Sequence, residues 1–154
     1  MPIYNRKFIH KDTRNPSPKH LQAVGPRVPV EVHIPKQLAE AFAKEEKPIP
    51  GCLSGYALID TGASMMCIDR KIIESLGVQP VNEALVGTVG GTRKQYVYPV
   101  NLRFPNTDLP ELNVLCLGGD FTGQNETIAL IGRDILQNFL LVYNGPEALV
   151  TLSY

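Results

Sequence analysis

Hydrophobic and polar residues alternate over residues 28–34, where Val28, Val30, Val32 and Ile34 are separated by Pro29, Glu31 and His33. A period of two puts every second side chain on one face, so this run predicts a half-buried strand. The next segment, KQLAEAFAKEE, sets Leu38 and Phe42 four apart among good helix formers and stops at Pro48 and Pro50, which predicts a short amphipathic helix. GYALID reads as a buried strand running straight into Asp60. IDRKIIESLG then supplies Asp69 as an N-cap, Ile72, Ile73 and Leu76 as an apolar face, and Gly77 as a stop. Further on, ALVGTV and QYVYPVNLRF flank GGTRK, with Tyr96, Tyr98, Val100, Leu102 and Phe104 on one face, the pattern of a hairpin with a glycine-bearing tip. LNVLCL is another buried strand, and TIALIGRDILQNF is a strand that meets Gly132 and turns into a short helix. FLLVYNGPEALVTLSY closes the chain as a hairpin about Asn144-Gly145. Many short strands, brief helices, and 13 glycines with 13 prolines as punctuation predict an all-β, barrel-like fold.

The first 27 residues break this pattern. In RNPSPKHLQAVGPRVP, which runs on into the first strand, Pro16, Pro18, Pro26 and Pro29 stand in a stretch with little apolar periodicity, so residues 1–27 are expected to form a flexible arm and residues 28–154 the folded domain. The arm carries Arg6, Lys7, Lys11, Arg14, Lys19 and Arg27 against the single acid Asp12, and is basic. Over the whole chain, 15 Lys and Arg balance 15 Asp and Glu. That leaves no molecule-wide field to attract nucleic acid or an anionic membrane, and neither is expected as a partner. With no apolar stretch of membrane-spanning length and no apolar leader, the expectation is a soluble, cytoplasmic protein.

Cys52, Cys67 and Cys116 form no CxxC pair and read as three small buried hydrophobes; His10, His20 and His33 have spacings that suit no metal site. No cofactor or metal is expected.

The candidate chemistry is at Asp60. Aspartate before Thr61-Gly62 makes a good turn, because the carboxylate accepts hydrogen bonds from the backbone ahead and glycine adopts positive φ. But Asp60 also ends a strongly apolar strand, and downstream ALIGRD is a second apolar strand ending in glycine, able to pack beside the first. The two outline a loop held by glycines in the middle of a β fold. The alternative reading of GTVGGT as a phosphate cradle fails, since it lacks the lysine and hydroxyl ending and is followed by strand-like QYVYPV.

LIDTGAS, GTVGGTRKQY and LIGRDIL, in this order and spacing, resemble the retropepsin-like (retroviral-type) aspartic proteases over about Val28 to Tyr154. The resemblance implies a closed barrel-like acid-protease fold and an aspartic endopeptidase that works as a homodimer on peptide or protein substrates. It implies Asp60, Thr61 and Gly62 as the catalytic loop, with Thr61 bracing the two loops across the dimer axis. It further implies Ala63, Val89, Gly90 and Gly91 at the substrate, the last three as a flap tip, with Gly132 and Arg133 as structural support beneath. One position departs: retroviral members usually carry an acid where this chain has Ser64, which leaves Asp134 as a substitute partner for Arg133. The C-terminal alternation of Ala148, Val150, Leu152 and Tyr154 is expected to form an edge strand shared between protomers, the alternative being a strand that closes the protomer's own barrel, since edge and core strands read alike here. A rival expectation keeps the fold but not turnover: an inactive dimerisation or peptide-binding module.

Overall fold

The computed structural model describes residues 1–88, 90–121 and 126–154. Its first elements are β1 (Ile3–Lys7) and α1 (Pro18–Val24), in the segment for which the proline pattern predicts a flexible arm. The prolines here mark turns rather than deny order. Pro16 bridges to Ile9, and Pro18 takes the first turn of α1, where no N–H partner is needed, while the Ser17 hydroxyl accepts from His20 N at 3.3 Å. Two residues explain why the segment is held: Phe8 and Leu21 are 1% and 0% exposed and belong to the main core.

The alternating run folds as β2 (Arg27–His33) with Val28, Val30 and Val32 fully buried, each worth about 1.5–3 kcal/mol relative to exposure. Next come α2 (Lys36–Lys44), β3 (Leu53–Ile59), a short β4 (Cys67–Asp69) and α3 (Arg70–Ser75). Asp69 caps α3 as expected, accepting from Lys71 N at 3.0 Å. β5 (Asn82–Thr88) and β6 (Gly91–Arg103) make the predicted hairpin, β7 (Leu112–Gly119) returns beside β6, and β8 (Thr127–Ile131) runs into α4 (Arg133–Leu136). β9 (Leu140–Asn144) and β10 (Leu149–Ser153) form the last hairpin. Its loop is longer than the two residues Asn144-Gly145 suggest, because Asn144 pairs with Leu149 and its side chain accepts from Glu147 N at 3.1 Å.

The main sheet runs β2-β3-β8-β4-β7-β6-β5, and β2 pairs again with β6 through Glu31, Val32 and His33. That second pairing closes a six-stranded barrel and leaves β5 outside the ring. The fold is therefore the all-β closed barrel with a few short helices that the sequence predicts. A separate three-stranded sheet has the order β1-β10-β9. β10 is thus its central strand, not the expected edge. Its alternation has a local cause: Ala148, Val150 and Leu152 face the protomer's own core at 0–1% exposure, while β1 and β9 take up both of its backbone edges.

Candidate active site

Asp60 is the first residue beyond β3, and β3 lies parallel to β8 with Ile59 opposite Ile131. The Asp60 N–H donates to Ile131 O at 3.0 Å, so the two apolar strands end together and deliver their loops to one place. Past Asp60 the chain doubles back. Gly62 N and Ala63 N donate to Asp60 Oδ1 at 2.8 and 3.3 Å, and Ala63 N also lies 3.2 Å from Asp60 O. One carboxylate oxygen is thereby fixed by its own loop, which orients the half-buried side chain, while Thr61 and Gly62 are exposed.

The loop is gripped from β8 and α4. Arg133 Nη1 donates to Thr61 O at 2.7 Å and to Gly62 O at 2.9 Å, and Arg133 N donates to Ala63 O at 2.9 Å. Arg133 thus braces the loop through two backbone carbonyls, and Ser64 costs it nothing. Asp134, expected as a substitute partner for that arginine, instead accepts from Met66 N at 2.9 Å through Oδ2 and from Ile135 N at 3.0 Å through Oδ1. It ties the far end of the loop to the start of α4. Gly132 permits this approach: a Cβ there would lie 2.7 Å from Met65 C and 2.8 Å from Met65 O.

Asp60, Thr61, Gly62, Ala63, Gly132 and Arg133 are therefore joined in one constellation. Gly90 and Gly91 belong to another element, the tip of the β5–β6 hairpin, where Thr88 pairs with Gly91. Gly91 has φ +107°, a backbone conformation that favours glycine. Val89 lies outside the described residues. Met65, Ser64, Asp134 and Ile135 also line a shallow cavity of about 630 Å³ whose opposite wall is Leu112 to Leu115.

The cysteines divide. Burial pushes the Cys67 thiol up to about 11 and the Cys116 thiol up to about 12, as befits packing residues. Cys52 is exposed, contrary to the expectation of three buried thiols. No helix among the described residues is long and apolar enough to cross a membrane.

A strand leading into Asp-Thr-Gly, paired in parallel with a second strand leading into Gly-Arg, is also what the family comparison detects: the model described as "Aspartyl protease" matches residues 50–135. The chain belongs to this family. That match spans Asp60 through Asp134, and so the whole braced loop. A solved structure of a retropepsin-like aspartic protease from Rickettsia conorii is similar over 99% of this chain and 92% of its own, with a TM-score of 0.51 at 14% identity, which establishes a retropepsin-like fold. The solution structure of simian foamy virus (mac) protease aligns over 71% of this chain and 91% of its own at 16% identity, with a TM-score of 0.43. A curated relative, an aspergillopepsin A-like aspartic endopeptidase from Aspergillus fumigatus, is 23% identical over 120 residues, 61% of this chain. The match takes in 27% of that relative, so the chain spans about a quarter of its length.

Proposed function

We propose that the protein is an aspartic endopeptidase whose catalytic pair is Asp60 and the Asp60 of a second copy. The observation that carries this reading is the single Asp-Thr-Gly loop, its carboxylate fixed at one oxygen by Gly62 and Ala63 N–H and its backbone braced by Arg133. Hydrolysis of a peptide bond by carboxylates alone requires one as general base on water and one as general acid on the carbonyl oxygen. Two carboxylates in contact share one proton, because like charges side by side cannot both ionise; aspartic proteases are the standard example of this arrangement. One loop supplies one half of the pair.

In this reading the water lies between the two Asp60 side chains. The ionised member takes its proton as oxygen attacks the carbonyl carbon, and the protonated member gives its proton to the carbonyl oxygen. The resulting tetrahedral intermediate collapses with proton delivery to the leaving nitrogen. Thr61 braces the two loops across the twofold axis, Ala63 lines the substrate cleft, and the glycine tip at Gly90 and Gly91 closes over the substrate. Residues 28–154 form the catalytic unit, with residues 1–27 packed against it.

The test is incubation of the purified chain with a diverse peptide mixture at acidic and neutral pH, with and without an active-site aspartic-protease inhibitor. Inhibitor-sensitive cuts are expected, and Asp60→Asn should lower their rate at least about 10³-fold while leaving the melting temperature within a few degrees, since it preserves shape and removes the proton chemistry. A chelator should leave cleavage unchanged. Peptide binding without cuts in a folded dimer would instead mark an inactive binding module.

A further inference from the structure

β2 and β3 run antiparallel with Val32 opposite Leu53, so the residue before β3, Cys52, lies across from His33. Glu31 is two residues back on the same outward face of β2. The ligand atoms of Glu31, His33 and Cys52 all lie within 4.8 Å of one another, and Glu31 Oε2 is 3.2 Å from His33 Nε2. Thiolate, imidazole and carboxylate donors around one tetrahedral zinc ion stand about 3.3–3.6 Å apart, given metal–ligand distances of about 2.0–2.3 Å. The carboxylate–imidazole edge is already of that size, and Cys52, exposed at the end of a loop, has only a short way to move.

A second observation points the same way. Asn101, opposite His33 on β6, is 2% exposed; its Nδ2 donates to Asn113 at 3.1 Å but its Oδ1 has no hydrogen-bond partner among the described residues. Asn101 and His33 line the same cavity, of about 340 Å³. A buried acceptor without a donor is costly, and a water held by a cation at the open fourth position would supply one. Arg103, the β6 neighbour of Glu31, is ion-paired with Glu111 at 3.1 Å.

We propose that Glu31, His33 and Cys52 bind a divalent transition cation of the zinc type, with water as its fourth ligand. A carboxylate only accepts, so His33 Nε2 carries the proton in the metal-free protein. On binding, that proton moves to Nδ1, the Cys52 thiol proton leaves to solvent, and Nε2 and Sγ become ligands. The other thiols do not compete, since Cys67 is half-buried and Cys116 buried. The ion pins the connection between α2 and β3 onto the barrel at the seam where β2 joins β6. It lies far from Asp60: the two ends of β3 separate Cys52 from Asp60 by roughly 25 Å at about 3.3 Å per residue. It is therefore a structural and thiol-protecting site, separate from the catalytic loop.

The test titrates the reduced, metal-free full chain with Co²⁺ and then displaces it with Zn²⁺. One ion per chain is expected, with the visible bands of tetrahedral cobalt and a thiolate-to-cobalt band in the near ultraviolet. Cys52→Ser should abolish the near-ultraviolet band, and Cys52→Ser and His33→Gln should each weaken binding at least about 100-fold. In the wild type, Zn²⁺ should slow alkylation of Cys52, mapped by peptide mass, at least about tenfold, a readout that needs no variant to fold. Absence of saturable binding, a thiolate band that persists in Cys52→Ser, or zinc-insensitive alkylation of Cys52 would each overturn the proposal.

Discussion

Gly132 illustrates how tightly individual residues set the candidate site. The Cβ of an alanine there would meet the Met65 backbone at 2.7–2.8 Å, and backbone cannot rotate away as a flexible side chain can. Gly132→Ala should therefore destabilise the protein by about 1–3 kcal/mol and loosen the grip of Arg133 on the loop. Denaturant unfolding read together with peptidase rate checks this; a neutral substitution would mean that the loop is more pliant than its hydrogen bonds suggest. The thiols give a pH prediction. Burial raises Cys67 to about 11 and Cys116 to about 12 from the ordinary 9.0, so the folded state holds these protons where the unfolded chain releases them. Their contribution is fully present below about pH 9 and is lost as pH rises toward 11–12, of the order of 2 kcal/mol per thiol. Unfolding free energy measured from pH 8 to 11 should fall accordingly, and at pH 8 only Cys52 should alkylate quickly.

Among the elements, β10 matters most for how the chain ends can be used. It is bonded to β1 on one side and β9 on the other, with Val150 and Leu152 in the core. Truncation after Glu147 should therefore collapse the three-stranded sheet and unfold the protomer, rather than yield a folded, inactive monomer. Circular dichroism of the truncated chain separates the two outcomes, and a native spectrum with loss of association alone would refute this account. β1 is bonded to β10 and is held as well by Phe8 beyond it, so residues 1–7 are part of the same cooperative unit.

For the whole molecule, the proposed pairing of Asp60 with its counterpart makes activity depend on concentration. The outward face of the small sheet exposes Leu140 at 61%, Val142 at 43% and Ile3 at 49%, an apolar surface suited to a second copy. With both edges of β10 already occupied, any sheet shared between protomers must use β1 or β9. Specific activity should fall on dilution in step with the loss of dimer seen by sedimentation. A fully active monomer would defeat the paired-aspartate reading.

Local pattern carried much of this in the sequence itself. The alternation at Val28 to Ile34, the cap at Asp69, the glycine-tipped hairpin and the apolar strands ending in Asp60 and Gly132 were legible because period, caps and turn chemistry depend on neighbouring residues. The Asp-Thr-Gly loop and its downstream Gly-Arg partner were legible for the same reason. What depends on non-local pairing was not. Phe8 and Leu21 have no periodic context, and only the core they enter shows that residues 1–27 are held. β10 reads alike as edge or centre until β1 and β9 are placed beside it. Arg133 has no acidic partner in its motif, and the carbonyls of Thr61 and Gly62 that it grips are present in every sequence and distinctive in none. His33 and Cys52 are 19 residues apart with no motif between them, and become neighbours only because an antiparallel register folds one strand onto the next. Side-chain periodicity is written along the chain, whereas register and barrel closure are decided by the packing of elements far apart in it.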